Sequence, residues 1–318
     1  MAKLISVVIP IFNEQQNISL IYKAIKEQFL YLKDKYDYEI IFVNDGSIDE
    51  SQEKLFKLAE INKKVKIVCF SRNFGKEFAT SAGLYNANGE AVIVIDADMQ
   101  HPPEKIPELL FQWENGKKVV IGIRTKNKGE GLIKNLGSKV FYWIINIIAE
   151  TKIRSGGTDF RLIDREVVNH FNQFTEKNRM TRGLIDWLGF EKAYVEFQAN
   201  PRVYGKAGYS LVKLIKLAMS TFVANSLFPL KFAGYLGLII TFVSGFMGFI
   251  VLIEQHFLDD PWHLQFTGTA QLAILIIFFI GIVLSSLGLI ALYVGNIHQE
   301  VLNRPLYIVS KKINFDEK

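Results

Sequence analysis

The sequence has little cysteine and histidine. Cys69 is the one cysteine among 318 residues, which excludes a disulfide framework and a cysteine-ligated zinc site. The histidines do not cluster, and His101, which precedes two prolines, is expected in a turn. The composition also excludes a disordered chain, because 49% of the residues are hydrophobic and 22% are charged. We therefore expect one large globular domain with an appendage.

Charged side chains are absent from two long segments, residues 232–253 and 264–297. A helix that spans a bilayer needs about 20 mainly apolar residues. Helices in the core of a soluble protein are rarely apolar on every face over that length. The sequence therefore predicts two membrane spans rather than two buried helices.

The flanking charges predict how the spans are oriented. The loop between them carries carboxylates and neither lysine nor arginine, whereas Lys231 precedes the first span and Arg304 follows the second. The positive-inside rule then places the N-terminal domain and the C-terminal tail in the cytoplasm. The predicted parts are a soluble domain (residues 1–205), a juxtamembrane amphipathic segment (206–230), a two-helix membrane domain (231–298) and a cytoplasmic tail (299–318).

Two segments look interfacial. Residues 132–149 of the soluble domain contain an apolar stretch too short to span a bilayer, and the juxtamembrane segment carries Lys213 and Lys216 on an otherwise apolar stretch. Both segments could lie among lipid headgroups and join the soluble domain to the membrane. Ordinary core helices are the alternative.

Five short apolar runs are typical of strands buried on both faces, because most of them are continuous rather than alternating. Helical patterns separate them, and a capping-box pattern at residues 47–50 predicts a helix from there to about residue 62. This alternation predicts an α/β domain with a mainly parallel sheet, which binds ligands beyond the carboxyl ends of its strands. The predicted strands are residues 5–9, 39–43, 65–70, 91–95 and 118–123, and the other helices are residues 76–87 and 104–114.

Polar residues follow every predicted strand. After the fourth strand, Asp96 and Asp98 are placed so that an extended backbone points both carboxylates to the same side. Two like charges repel unless a cation lies between them, and Mg²⁺ and Mn²⁺ prefer carboxylate, amide and phosphate oxygens. Gln100 could add an amide oxygen. The sequence therefore predicts a Mg²⁺ or Mn²⁺ site of Asp96, Asp98 and Gln100, with a solvated strand end as the alternative.

Four motifs carry a resemblance to a known family. They are Pro10-Ile11-Phe12-Asn13-Glu14, Asn44-Asp45-Gly46-Ser47, Asp96-Ala97-Asp98-Met99-Gln100-His101-Pro102-Pro103-Glu104 and Arg202-Val203-Tyr204-Gly205. Together they resemble the family 2 glycosyltransferases of the GT-A fold and, more narrowly, the polyisoprenyl-phosphate glycosyltransferases. The resemblance extends over essentially the whole chain, including both predicted spans.

The resemblance implies a nucleotide-sugar donor, with UDP-glucose as the leading candidate and GDP-mannose as the second. The implied acceptor is a polyisoprenyl phosphate such as undecaprenyl phosphate. Many relatives have a serine where this chain has Ala207, so a phosphate contact expected there would come from Ser210 or Lys206. Each basic residue of these sites could, taken alone, be an ordinary surface residue. The implied donor site consists of Pro10, Phe12, Asn13, Glu14, Asp45, Asp96, Ala97, Asp98 and Arg124. The implied contacts of the acceptor phosphate are Arg124, Arg202, Lys206 and Ser210.

Residues 155–165 are the candidate catalytic wall, because their glycines allow the backbone to approach a sugar closely. Asp159 and Arg161 present an acid and a base there, and a purely structural pair is the alternative. The resemblance places the base of inverting enzymes at Asp159, which makes Asp159 a base or an orienting group beside the other catalytic candidates, Asp98 and Arg161. A phosphate acceptor is mostly a dianion at neutral pH and needs no strong base.

We expect a multi-pass protein of the bacterial cytoplasmic membrane, with both termini and the catalytic domain in the cytoplasm. The resemblance implies a homo-oligomer, in particular a tetramer, and no nucleic-acid partner, although a net charge of +5 alone would permit one. A processive polysaccharide synthase would need a Gln-x-x-Arg-Trp motif, which the chain lacks. A non-catalytic flippase or scaffold would not need Asp96, Asp98 and Gln100 together.

Overall fold

A sheet with helices on both faces makes up most of the described structure. A computed structural model describes residues 2–125, 157–177, 179–198 and 268–315. The strands are β1 (Lys3–Ile11), β2 (Tyr36–Asn44), β3 (Val65–Phe70), β4 (Ala91–Val94), β5 (Val119–Arg124), β6 (Gly157–Asp164), β7 (Lys192–Phe197) and β8 (Val309–Ile313). The helices are α1 (Ile18–Tyr31), α2 (Ser51–Ile61), α3 (Lys76–Asn86), α4 (Ile106–Glu114), α5 (Arg165–Asn172), α6 (Thr181–Trp187) and α7 (Gly268–Val301), and a 3₁₀ turn, Pro103–Lys105, precedes α4.

The strand order places most loops of interest at one edge of the sheet. The order is β7-β5-β6-β4-β1-β2-β3-β8, and β1 pairs in parallel with β2 and β4. Strand β6 runs antiparallel between β4 and β5, and β8 runs antiparallel to β3. The carboxyl ends of β1 to β5 therefore share an edge with the amino ends of β6 and β8. This confirms the mainly parallel α/β fold.

Two apolar layers cover the sheet. Helices α1, α2 and α4 bury one face, and α3, α5 and α6 bury the other. Helix α3 lies very close to β1, because a Cβ on Gly83 would stand 2.1 Å from Cγ1 of Val8. This close packing fixes Lys76, the first residue of α3, at the carboxyl edge of the sheet.

Several sequence predictions need correction. The five predicted strands are present, but the capping box is wrong: α2 begins at Ser51 without a side-chain cap. Ser47 instead accepts a hydrogen bond from the backbone N–H of Asn13, in another loop. The predicted catalytic wall contains strand β6, and the predicted tail contains β8. Periodicity missed β6, β7 and β8 because each is only partly apolar.

The described residues fall into two compact units. Residues 1–208 together with 304–318 form the first unit, so the C-terminal segment belongs with the N-terminal domain; residues 209–303 form the second. Within the part of the chain that the structure describes, no helix is both long enough and apolar enough to cross a membrane. The predicted span 232–253 and the predicted interfacial segments 132–149 and 206–230 lie outside the described residues.

Candidate active site

Two carboxylates from distant parts of the chain meet at the carboxyl edge of the sheet. Val94 of β4 pairs with Arg161 of the antiparallel strand β6. Continuing that register by two residues brings Asp96 opposite Asp159. The turn after β4 and the start of β6 thus place two acids side by side, where their charges would repel without a cation between them.

Lys76 supplies that cation. Its Nζ atom is 2.6 Å from Oδ1 of Asp96 and 2.8 Å from Oδ2 of Asp159. The other oxygen of Asp159, Oδ1, is 2.8 Å from Nε of Arg182 in α6. Both oxygens of Asp159 are therefore held by cations, and Lys76 bridges the two acids.

These charges control the ionisation of the cluster. Burial alone would raise the pKa of the Asp159 carboxyl, but the charges of Lys76 and Arg182 outweigh burial and hold that pKa well below its usual range. Burial alone would lower the pKa of Lys76, but Asp96 and Asp159 raise it above its ordinary value. Asp159 is therefore a carboxylate and Lys76 an ammonium ion at neutral pH.

Arg161 lies beneath this cluster, on the same side of β6 as Asp159. It is 3% exposed, and its Nη2 donates to the backbone oxygen of Thr158 at 3.1 Å. Among the described residues, its Nε and Nη1 atoms have no hydrogen-bond partner. It lines a small cavity with Glu77, Thr80 and Arg182. Arg161 thus contributes a buried positive charge below Asp159, and its direct catalytic role stays a prediction.

The turn that contains Asp96 and Asp98 is held tightly. Oδ1 of Asp98 accepts a hydrogen bond from the backbone N–H of Gln100 at 3.1 Å, and Met99 between them has a φ of 62°. The side chain of Ala97 is buried in the core, and a contact between Ala97 and the donor stays a prediction.

His101 supports the same turn from below. Its ring stacks on Phe160 and packs edge-on against Phe197, and its Nδ1 accepts a hydrogen bond from the backbone N–H of Asp96 at 3.3 Å. Burial lowers its pKa, although the charge of Asp96 opposes that effect. His101 therefore lies in a bend, as predicted, and its buried ring also supports Asp96.

The first two loops of the candidate donor site are joined by hydrogen bonds. The backbone N–H of Asn13 donates to Oγ of Ser47 at 3.0 Å, and the N–H of Ile48 donates to Oδ1 of Asn13 at 2.9 Å. Asn13 adopts a φ of 56°, a conformation that asparagine tolerates better than most residues. Phe12 is 45% exposed and Glu14 is half-buried beside it. These contacts fix the positions of both loops at the sheet edge.

Asp45 anchors a third loop. Its carboxylate accepts hydrogen bonds from the backbone N–H groups of Phe74 at 2.7 Å and Gly75 at 2.9 Å, and from Nδ2 of Asn73 at 3.0 Å. It is 3% exposed. Burial raises its pKa, and the two backbone N–H groups oppose that rise. The predicted contact between Asp45 and a donor stays a prediction. The structure shows instead that Asp45 holds residues 73–75, the end of the loop that directly precedes Lys76.

The remaining predicted residues are less closely involved. Pro10 is half-buried at the end of β1, and Arg124 is exposed at the end of β5, on the same edge as the cluster. Arg202, Lys206 and Ser210, predicted to hold the acceptor phosphate, lie outside the described residues.

Comparison with known proteins identifies the family. The family model for glycosyl transferase family 2 matches residues 6–171. The uncharacterized glycosyltransferase YkcC of Bacillus subtilis is 40% identical over 98% of this chain and 95% of its own length. The bactoprenol glucosyl transferase of Shigella phage SfII is 37% identical over 96% of this chain and 97% of its own length.

This chain belongs to glycosyltransferase family 2. It is a glycosyltransferase with a GT-A, Rossmann-like α/β fold. Among solved structures, it is similar to a mannosyltransferase of Pyrobaculum calidifontis in complex with GDP-mannose and Mn²⁺, at 20% identity and a TM-score of 0.49, over 71% of this chain and 63% of the other.

The acids of this glycosyltransferase fit a divalent ion that is shared with a substrate. Among the described residues, no group of three or more His, Cys, Asp or Glu side chains could hold a metal by itself. Asp96 and Asp98 would provide two carboxylates, and Mg²⁺ commonly binds one or two carboxylates together with substrate phosphates. The ammonium of Lys76 against Asp96 shows that this position already attracts a cation. The residues therefore fit a metal held jointly with a nucleotide diphosphate.

The sequence predictions assigned no role to two residues of this cluster, Lys76 and Arg182. Lys76 stands at the end of a polar cluster after the third predicted strand, which was a usable signal. Arg182 lies in a short helix with no motif around it, and only the fold brings it to Asp159.

Proposed function

We propose that this enzyme transfers a sugar from a nucleotide-sugar donor to a polyisoprenyl phosphate, with inversion at the anomeric carbon. UDP-glucose and undecaprenyl phosphate are the leading donor and acceptor. The observation that carries the proposal is the similarity to bactoprenol glucosyl transferases over almost the entire length of both chains. That similarity includes the segments without charged residues, which a soluble sugar transferase would not need.

The charges of the site suit the departure of a nucleoside diphosphate. A bound Mg²⁺ or Mn²⁺ would stabilise the negative charge that develops on the leaving diphosphate. Asp96 and Asp98 would hold that ion, with Gln100 next to them in the turn. Lys76 and Arg182 add positive charge at the same edge of the sheet, where fixed charges stabilise a developing anion most effectively.

Asp159 orients cations in this mechanism rather than removing a proton. Both of its oxygens are engaged by Lys76 and Arg182, and its pKa lies well below the usual range. A carboxylate with such a low pKa is a weak base. A phosphate acceptor is already anionic and can attack the anomeric carbon without losing a proton. The engaged state of Asp159 therefore favours a phosphate acceptor over a sugar hydroxyl.

The membrane setting is part of the proposal. Residues 232–253 and 264–297 carry no charged side chain over more than the roughly 20 residues that a spanning helix needs, and the basic residues around them favour a cytoplasmic catalytic domain. A long isoprenoid chain stays in the bilayer, so its phosphate would be presented at the membrane surface. Lys213 and Lys216 would favour contact with anionic lipids there.

The test is sugar transfer in membranes. Membranes that contain the protein are incubated with undecaprenyl phosphate and labelled UDP-glucose or GDP-mannose, and the labelled lipid is measured. We expect Asp98→Ala to abolish labelling without affecting membrane insertion, and the exposed control Asp37→Ala to leave labelling unchanged. Equal labelling by the wild type and Asp98→Ala would contradict the metal assignment. Labelling of a soluble sugar in place of the lipid would contradict the acceptor.

A further inference from the structure

Lys76 occupies the position where Asp96 would bind a metal. Its ammonium is 2.6 Å from Oδ1 of Asp96, an oxygen that the proposed function gives to a divalent ion. A divalent ion and an ammonium repel each other strongly at such distances. The Lys76 side chain is 42% exposed and has a flexible stem, so its ammonium can move while α3 stays in place. While the Lys76 ammonium contacts Oδ1 of Asp96, that oxygen is not free to bind a divalent ion as well.

The charge of the cluster points to what happens to the displaced ammonium. Asp96, Asp98 and Asp159 carry three negative charges, and Lys76, Arg182 and the buried Arg161 carry three positive ones. The cluster therefore has no excess positive charge for a diphosphate without a metal. A divalent ion adds two positive charges. Lys76, released from Asp96 but still next to Asp159, is then free to bind an anionic phosphate.

We propose that Lys76 is an internal counterion that competes with the metal for Asp96 and moves to the donor diphosphate when the metal binds. This inference rests on the proposed function and assigns Lys76 as a positioning residue that couples the two binding events. Metal binding then favours nucleotide binding, and by linkage nucleotide binding favours metal binding to the same degree. Arg182 keeps Asp159 paired throughout, which prevents Asp159 from being left as an isolated buried charge.

The test is Mn²⁺ binding to the full chain in detergent, measured by isothermal titration calorimetry and by the electron paramagnetic resonance spectrum of free Mn²⁺. Lys76→Met removes the competing ammonium, so we expect Mn²⁺ without nucleotide to bind on the order of tenfold more tightly. At saturating Mn²⁺, the same variant is expected to bind uridine or guanosine diphosphate, whichever the wild type binds, on the order of tenfold more weakly. These opposite changes would not arise from a purely structural role.

Lys118→Met is the matched control. Lys118 also bridges two carboxylates, at 3.1 Å from Asp164 and 3.2 Å from Glu166, but at the opposite edge of the sheet. We expect it to change neither affinity. Lys76→Arg keeps the positive charge and should bind Mn²⁺ within about threefold of the wild type, which provides a folded companion if Lys76→Met is unstable.

The outcomes separate the inference from the proposed function. If the wild type binds Mn²⁺ but Lys76→Met binds it with the same affinity, the inference is wrong and the proposed metal site stands. If the wild type binds no Mn²⁺ with or without nucleotide, the proposed metal site is wrong and the inference falls with it. The double variant Lys76→Met/Asp159→Asn should keep the tighter Mn²⁺ binding; loss of that gain would show that Asp159, not Asp96, holds the ion, and would overturn the inference.

Discussion

Replacing Asp45 with asparagine tests which of two roles this residue has: holding the loop before Lys76 or contacting the donor directly. In the structure, its carboxylate accepts three hydrogen bonds from the loop before Lys76, at 2.7, 2.9 and 3.0 Å. Gly46 next to it packs against the same loop, since a Cβ there would stand 2.4 Å from the backbone carbon of Arg72. If the loop contacts are the main role of Asp45, Asp45→Asn destabilises the protein even without any ligand.

The expected magnitude follows from the hydrogen bonds. An asparagine of the same shape has one acceptor oxygen, so its NH₂ group would face either the backbone N–H of Phe74 or both the backbone N–H of Gly75 and the side-chain NH₂ of Asn73. An unsatisfied buried donor costs about 1–3 kcal/mol, and the surviving bond also loses its charge assistance. Relief from burying a charge offsets part of this cost, in keeping with the raised pKa of Asp45. We therefore expect a net loss of about 1–3 kcal/mol.

The assay is thermal unfolding of the full chain in detergent, with and without nucleotide and Mn²⁺. For a domain of this size, the expected loss corresponds to a fall in Tm of roughly 3–10 °C in the ligand-free protein. The exposed Asp37→Asn is the control and should change stability by no more than about 0.5 kcal/mol. A ligand-free Tm equal to that of the wild type, together with a lost response to nucleotide, would refute the loop role and favour direct donor contact.

Three further predictions follow from the same edge of the sheet. Gly46→Ala should destabilise the protein by about 1–3 kcal/mol in a denaturant titration, because Gly46 has a φ of 67° and its Cβ would strike the backbone of Arg72; unchanged stability would contradict that packing. The lowered pKa of Asp159 means that its contribution to stability is present above its unfolded pKa and is lost as the pH falls through the folded value, so Asp159→Asn should weaken the loss of stability in acid. The same variant should remove no inflection of the transfer rate between about pH 5 and 8, and the loss of such an inflection would indicate that Asp159 acts as a base. Ending the chain after Asn303 removes β8, so limited proteolysis should then cut the loop after β3; equal protection with and without β8 would contradict its anchoring role.

The C-terminal strand shows why the last of these effects is expected. Strand β8 pairs with β3, and the ring of Tyr307 stacks on Phe70 at 4.8 Å between centroids. The backbone N–H of Ser71 donates to the oxygen of Ile308 at 3.0 Å. The C-terminal segment therefore holds the start of the loop that Asp45 holds at its end, and together they position Lys76.

Much of the fold could be predicted from local patterns. The five apolar runs identify β1 to β5 because strands buried on both faces are continuously apolar. The polar residues that follow them lie at one edge because parallel strands end together. Strands β6 to β8 were not predicted because polar residues such as Asp159 in β6 and Lys311 in β8 interrupt the continuous apolar run that identifies the other strands.

The sequence by itself determined the α/β alternation, the acids after β4 and the family, since each depends on residues close together in the chain. The tertiary structure alone decided which charges meet. Lys76 and Asp159 are 83 residues apart, and they touch because β6 inserts antiparallel beside β4 while α3 packs tightly on β1. Whether a carboxylate serves as a base, a metal ligand or an anchor depends on its neighbours in space, and no local pattern in the chain encodes them.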